Sequence, residues 1–192
     1  MIITICGNLG SGKSTLAREL AKKFGLKHFS AGDFMRAIAK ERNLSLLELG
    51  ARAETDKSID KEVDSRTQEL GKTGKDFVMD SRLAWHFIPN SIKIFLDISL
   101  EEAARRVCCD VSKNLRAEEK ESTTIKKTME NIKKRQESEI KRYRQLYGVN
   151  YLNKKNFDIV IDTTSNSREQ TLEKAVQEIK KILEKKKQKA SA

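Results

Sequence analysis

The chain has 192 residues, of which 38% are hydrophobic and 35% charged, with 39 basic side chains against 28 acidic ones and a net charge of +11. That length suits one domain with a real core and room for insertions, and no apolar run approaches the ~20 residues that cross a bilayer, which argues against an integral membrane protein. The basic surplus would suit a polyanion, but six lysines and one glutamate crowd into 180–192, a stretch expected to fray, and only 6% of residues are aromatic; nucleic-acid binding is therefore not the expected role.

Ile2-Ile3-Thr4-Ile5 is β-branched and reads as a first strand, so no leader peptide is expected before it. It runs into Gly7-Asn8-Leu9-Gly10-Ser11-Gly12-Lys13-Ser14-Thr15: glycine, four residues, glycine, lysine and a hydroxyl. Glycines open torsions closed to other residues, so successive backbone N–H groups can turn inward and seat an anion. Lys13 adds a point charge for the outer phosphates, and the Ser14 hydroxyl can ligate Mg²⁺. Leu16, Leu20 and Phe24 then form one helical stripe, so the loop empties into a helix N-terminus. Strand, loop and helix together predict nucleoside-triphosphate binding, with Gly7 to Thr15 as the ATP loop.

A short second strand follows at 26–30, then a turn at Ala31-Gly32 opening a helix to about Arg42, with Asp33 near its start. Ser45 and Glu48 are spaced as a capping box for another helix, and a third runs from about Asp56 to Leu70. Its apolar residues are sparse (Ile59, Val63, Leu70), so residues 33–71 are expected to be a mobile helical flap rather than core. Strands are predicted over 75–80, 91–97 and 156–162, each closing on an aspartate (Asp80, Asp97, Asp162). Between the last two lie an amphipathic helix at 100–110, a polar span, and a helix over 123–146, about 36 Å long. Leu172, Ala175, Val176, Ile179 and Leu183 mark a final helix. Five short strands alternating with helices predict a parallel sheet covered on both faces, a three-layer α/β/α domain with ligands at the carboxyl ends of its strands.

Three cysteines (Cys6, Cys108, Cys109), odd in number and without ligand spacing, read as reduced, packed thiols in a cytoplasmic protein. His28 and His86 have no carboxylate or cysteine partner in the sequence pattern and are read as structural, as is Trp85. No chemical role is given to Asp97 or Asp162.

Triphosphate binding alone leaves motor, switch, ATPase and kinase open. A small chain, insertions after the second and fourth strands, and arginines outside the loop favour phosphoryl transfer between two anions, where charge must be neutralised around an in-line transition state. The loop, the segment Phe29-Ser30-Ala31-Gly32-Asp33-Phe34-Met35-Arg36, Asp80-Ser81-Arg82-Leu83-Ala84-Trp85, Arg135 to Gly148, and Phe157 to Thr163 follow one another along almost the whole chain. In these pieces the chain resembles the nucleoside monophosphate kinases, most closely the short cytidylate kinases of archaeal type. The resemblance implies a P-loop NTPase fold with a nucleotide-acceptor insertion at about 33–71 and a helical lid at about 110–142. It implies transfer of the ATP γ-phosphate to CMP or dCMP, with Mg²⁺; the chain is expected to act as a monomer. Ser30, Asp33 and Arg36 would line the acceptor, with Arg36 on its phosphate and Arg82 as a second acceptor-side arginine. Lys13, Arg82, Arg135 and Arg142 would serve the travelling phosphoryl group, and Ser14 and Asp80 the metal. Where the family has glycine after the acidic residue, this chain has Ser81, and no lid arginine such as Arg116 is assigned between Val111 and Ser122. Adenylate kinase, an adenylate-kinase-like ATPase acting in RNA processing or ribosome assembly, and a shikimate-kinase-like enzyme are the alternatives.

Overall fold

The computed structural model describes residues 1–112 and 124–190. Among them five strands, β1 (Ile2–Gly7), β2 (Lys27–Ser30), β3 (Phe77–Asp80), β4 (Ile92–Asp97) and β5 (Ile159–Asp162), form one parallel sheet in the order β2-β3-β1-β4-β5. The period-2 alternation of a strand sends Ile3 and Ile5 of β1 to one face and Cys6 to the other. On the first face Ile3, Ile5, Val78, Ile94 and Leu96 pack with Leu16, Ala17 and Leu20 of α1 (Lys13–Phe24) and Ala175, Val176 and Ile179 of α8 (Arg168–Ala190). On the second, Cys6 and Phe95 meet Leu83, Trp85 and Tyr151. The predicted three layers are present.

Parallel pairing aligns the strand ends. Ser30 lies beside Asp80, Ile5 beside Asp80, Gly7 beside Leu96, and Asp97 beside Asp162. Two glycines are forced where β1 turns toward α1. Gly7 has φ 147°, and a Cβ there would sit 2.2 Å from the Leu96 carbonyl oxygen; Gly10 has φ 78°, with the Ala103 carbonyl oxygen 2.8 Å from its would-be Cβ. Ala103 belongs to α6 (Leu100–Ser112), so α6 crowds the loop from behind.

Between β2 and β3 come α2 (Ala31–Glu41), α3 (Leu46–Ala53) and α4 (Lys57–Lys72). The capping box forms, with Ser45 and Glu48 exchanging hydrogen bonds at the start of α3. The expectation of little apolar surface needs correction: Ile38, Ala39, Leu49, Ala53, Ile59 and Val63 make a buried cluster of their own. Ala31 and Phe34 touch both this cluster and the one beneath the sheet that holds Phe77 and Met79. The turn after β3 carries a short helix, α5 (Ala84–Phe87), not foreseen from the sequence. The long helix α7 (Ile125–Tyr147) has 23 residues, and its Met129 and Ile132 pack on Ala103, Ala104 and Val107 of α6. The part of the expected lid between 113 and 123, Arg116 included, lies outside the described residues. The C-terminal lysines, expected to fray, continue α8 to Ala190; lysine, glutamate, glutamine and alanine are all good helix formers.

Cys6 is buried, but Cys109 is exposed, so only part of the packed-thiol expectation holds; none of the three cysteines is in a disulfide. No helix among the described residues is long and apolar enough to cross a membrane.

Leu49 is fully buried in the small cluster of α2–α4. Leu49→Ala is expected to destabilise this part of the protein by about 2–5 kcal/mol. Hydrogen exchange should then quicken in residues 31–72 while the strands of the sheet keep their protection.

Candidate active site

The loop between β1 and α1 is folded on one carbonyl. The Asn8 carbonyl oxygen accepts from Lys13 Nζ at 2.8 Å, from Ser11 Oγ at 2.8 Å and from the Ser11 backbone N–H at 3.3 Å. The Asn8 side chain donates to Asp97 Oδ1 at 3.3 Å, and Thr163 donates to the Ser11 and Asp97 carbonyls, so the ends of β4 and β5 brace the loop. Asp97, given no role from sequence, is thus part of this support. Lys13 is half-buried. Stripping of water from its ammonium, with the Arg82 charge adding to it, pushes its pKa well below the ordinary lysine value. A cation held this way gains most from an anion brought beside it.

At the end of β3 the Asp80 carboxylate is almost fully buried. Ser14 Oγ donates to Oδ2 at 2.5 Å, and His28 Nε2 lies 2.8 Å from Oδ1. Burial pushes Asp80 upward, but the hydrogen bonds from His28 and Ser14 outweigh it and hold the carboxyl below the usual aspartate range. Ser14 and Asp80, named together from the sequence, are together here. Contrary to the sequence expectation, His28 has a carboxylate partner, which the parallel pairing of β2 with β3 supplies.

Arg82 is anchored. Its Nε donates to Glu139 Oε2 at 2.8 Å, Nη1 donates to the Gly7 carbonyl, and the guanidinium lies 5.3 Å from the centre of the Tyr151 ring. Trp85 Nε1 and Cys6 Sγ both donate to the Arg82 carbonyl. Burial also lifts the Cys6 thiol to about 11, which keeps it neutral. Glu139 in turn accepts from Arg135 Nε at 3.1 Å and from the Tyr151 hydroxyl at 2.9 Å. Burial alone would raise Glu139, yet Arg82 and Arg135 hold it at about 2. Arg82, Arg135, Gln136 and Glu139 line a cleft with Asn8 and Leu9 of the loop. The sequence offered one sign of this carboxylate, its position four residues after Arg135 on a helix.

The remaining predicted residues divide. Ser30 caps α2 by accepting from the Gly32 N–H at 3.1 Å, and it sits beside Asp80 in the sheet. Asp33 and Arg36 form an exposed ion pair at 2.6 Å. Arg142 does not join Arg135 and Arg82; it turns to α4, where its Nη1 lies 3.2 Å from Asp60 Oδ2. One turn further on, the Tyr147 hydroxyl donates to Asp64 Oδ2 at 2.6 Å. Among the described residues no cluster of three or more His, Cys, Asp or Glu could hold a metal ion by itself.

A family model described as the cytidylate kinase-like family matches residues 2–165. The chain belongs to the cytidylate kinase-like family. Within it, the chain is similar to the cytidylate kinase of Methanothrix thermoacetophila, 37% identical over 85% of this chain and 88% of that one. The cytidylate kinase of Methanothermobacter thermautotrophicus is 36% identical over 85% of this chain and 95% of its relative. In fold this cytidylate kinase-like chain matches a crystal structure of shikimate kinase from Bacteroides thetaiotaomicron, with a TM-score of 0.60 and 16% identity, covering 96% of this chain and 98% of that one. At that identity the likeness shows the P-loop kinase fold alone.

Asp64 gives the pH signature of this region. Burial, against the pull of the Tyr147 hydrogen bond, pushes it up to about 7. In the folded protein it therefore binds a proton between its unfolded value, about 4, and 7, and over that window stability falls as pH rises. Asp64→Asn removes the titration. Urea unfolding of the variant at pH 5 and pH 8 is expected to show a smaller loss of stability across the interval than the parent shows.

Proposed function

We propose that the protein transfers the γ-phosphate of ATP to CMP, and to dCMP, giving the diphosphate and ADP, as a cytoplasmic monomer. The reading rests above all on one juxtaposition. A glycine loop with its lysine, a carboxylate–hydroxyl pair at the end of β3, and arginines from the β3 turn and α7 converge on the same rim of the sheet. Membership of the cytidylate kinase-like family supports CMP as the acceptor.

The acceptor is already a phosphate oxygen, so no side-chain base is required; positioning and charge carry the reaction. The amides of the loop from Gly7 to Thr15 and the Lys13 ammonium would hold the donor phosphates, Lys13 leaving the Asn8 carbonyl for them. Arg82, fixed by Glu139, adds charge from beneath the loop, and Arg135 adds it from α7. Arg36 would take the acceptor phosphate by leaving Asp33, an exposed pair worth no more than about 1 kcal/mol. Asp33 and Ser30 would line the acceptor beside it, and Arg142 would approach it from α7.

The residues present fit Mg²⁺. Ser14 and Asp80 offer hard oxygen donors 2.5 Å apart at the rim, and this ion commonly takes only one or two protein oxygens besides water and phosphate. When bound with ATP, it would neutralise charge on the outer phosphates. His28 and the protein around Asp80 keep that carboxylate ionised for the purpose.

A coupled assay at fixed ATP with CMP, dCMP, UMP and AMP tests the proposal. CMP and dCMP are expected to be the preferred acceptors; a preference for AMP, or ATP hydrolysis with no acceptor dependence, overturns it. Lys13→Ala is expected to lower kcat by at least ~100-fold. Arg36→Ala is expected to raise the KM for the acceptor about tenfold or more, while the KM for ATP stays unchanged.

A further inference from the structure

The carboxylate at the end of β3 is held by two different elements. Ser14 of α1 donates to Asp80 Oδ2 at 2.5 Å, and His28 Nε2 of β2 lies 2.8 Å from Oδ1. Asp80 is held in its ionised form, and an ionised carboxylate only accepts hydrogen bonds. The proton of the second contact is therefore on Nε2, and His28 is the donor. Asp80 is 5% exposed and the His28 side chain 19%, so water cannot readily take the place of this bond.

The sheet does not need that bond. β2 and β3 are already joined in parallel register from Lys27 beside Phe77 to Ser30 beside Asp80, and Phe29 packs edge-on against Phe77 along the same stretch. What the imidazole adds is a direction. The terminal torsion of an aspartate is soft, so a carboxylate gripped at one oxygen can swing. Fastened at Oδ1 by His28, the group keeps Oδ2 toward the Ser14 hydroxyl, the other oxygen donor of the pair. His28 also stands two residues before Ser30, on the same face of β2, so one short strand carries both the grip on Asp80 and the cap of α2.

We propose that His28 is a positioning residue for the metal: it aims the Asp80 carboxylate so that Oδ2 and the Ser14 hydroxyl present one joint oxygen site to Mg²⁺. The inference rests on the Mg²⁺ reading given above. It goes beyond the charge of Asp80, which a donor at either oxygen would favour, to the orientation of the group, which needs a donor at Oδ1. His28 acts through Asp80 and touches neither phosphate nor metal. Removing an outer partner of this kind typically weakens metal binding by about 10–100-fold.

Three substitutions separate the donor from the bulk of the side chain. His28→Phe keeps a ring in the strand and removes the donor, His28→Gln returns an N–H at the reach of Nε2, and His28→Asn carries the same amide on a shorter arm. Calorimetric titration of ATP, with no acceptor present, is carried out in EDTA and again in saturating Mg²⁺, and CMP is titrated separately. The parent is expected to bind ATP more tightly with Mg²⁺. In His28→Phe and His28→Asn that gain should shrink about tenfold or more, while the Kd for ATP in EDTA and the Kd for CMP stay unchanged; His28→Gln should recover most of the gain. An undiminished gain in His28→Phe overturns the proposal. A loss shared equally by ATP in EDTA, ATP with Mg²⁺ and CMP overturns it too, since a mere strut of β2 would disturb Ser30 and the helix it caps. Should His28→Phe fail to fold, equal gains in the Gln and Asn variants overturn it. If the parent itself gains nothing from Mg²⁺, the metal reading falls and this inference with it, whereas failure of the inference alone leaves the parent's gain in place.

Discussion

The rim of the sheet depends on a carboxylate placed where carboxylates are seldom found. Glu139 is 6% exposed, and a buried charge survives only when it is paired and its remaining lone pairs are occupied. Here the turn after β3 supplies Arg82, the same helix supplies Arg135, and the segment beyond α7 supplies Tyr151. Three stretches of chain are thereby fixed to one group. Arg82 passes the constraint on, since its other nitrogen holds the Gly7 carbonyl at the first residue of the phosphate loop. Without the carboxylate Arg82 would be a buried cation with nothing to balance it, a defect that costs about 3–5 kcal/mol in comparable pairs. The position of α7 and the shape of the loop are therefore not independent.

Two different electrostatic solutions meet at this rim. Asp80 is kept ionised by donors from β2 and α1, whereas Lys13 is held among groups that disfavour its charge. The overall surplus of +11 says less than this local arrangement, because much of it is spread over the exposed faces of α7 and along the end of α8.

The glycine loop, the five strands and the long helix are all legible in the sequence, because they rest on local signals: glycine spacing, short apolar runs of which three end in aspartate, and apolar residues at intervals of three and four. The capping box at Ser45 was read for the same reason. What escaped depends on neighbours distant in sequence. His28 finds Asp80 only because β2 lies beside β3, an adjacency that no local pattern states. The second hydrophobic cluster was missed because Leu49 and Ala53 sit on an eight-residue helix with too few turns to show a stripe, leaving Ile59 and Val63 looking isolated. Asp60 and Asp64, one turn apart, resemble a solvated helix face until α7 covers them. Arg142 was grouped with Arg135, although seven residues separate them and they meet different parts of the protein, Asp60 for one and Glu139 for the other.

The division of the apolar interior has a mechanical consequence. Ala31 and Phe34 are shared between the small cluster of α2–α4 and the one under β3, while the far side of α4 meets α7 through the tips of polar side chains. The first contact is apolar, whereas the second is made of polar side chains that α7 covers. Parting α4 from α7 would uncover polar side chains rather than oil, and so would leave untouched the cohesion of the sheet that carries them.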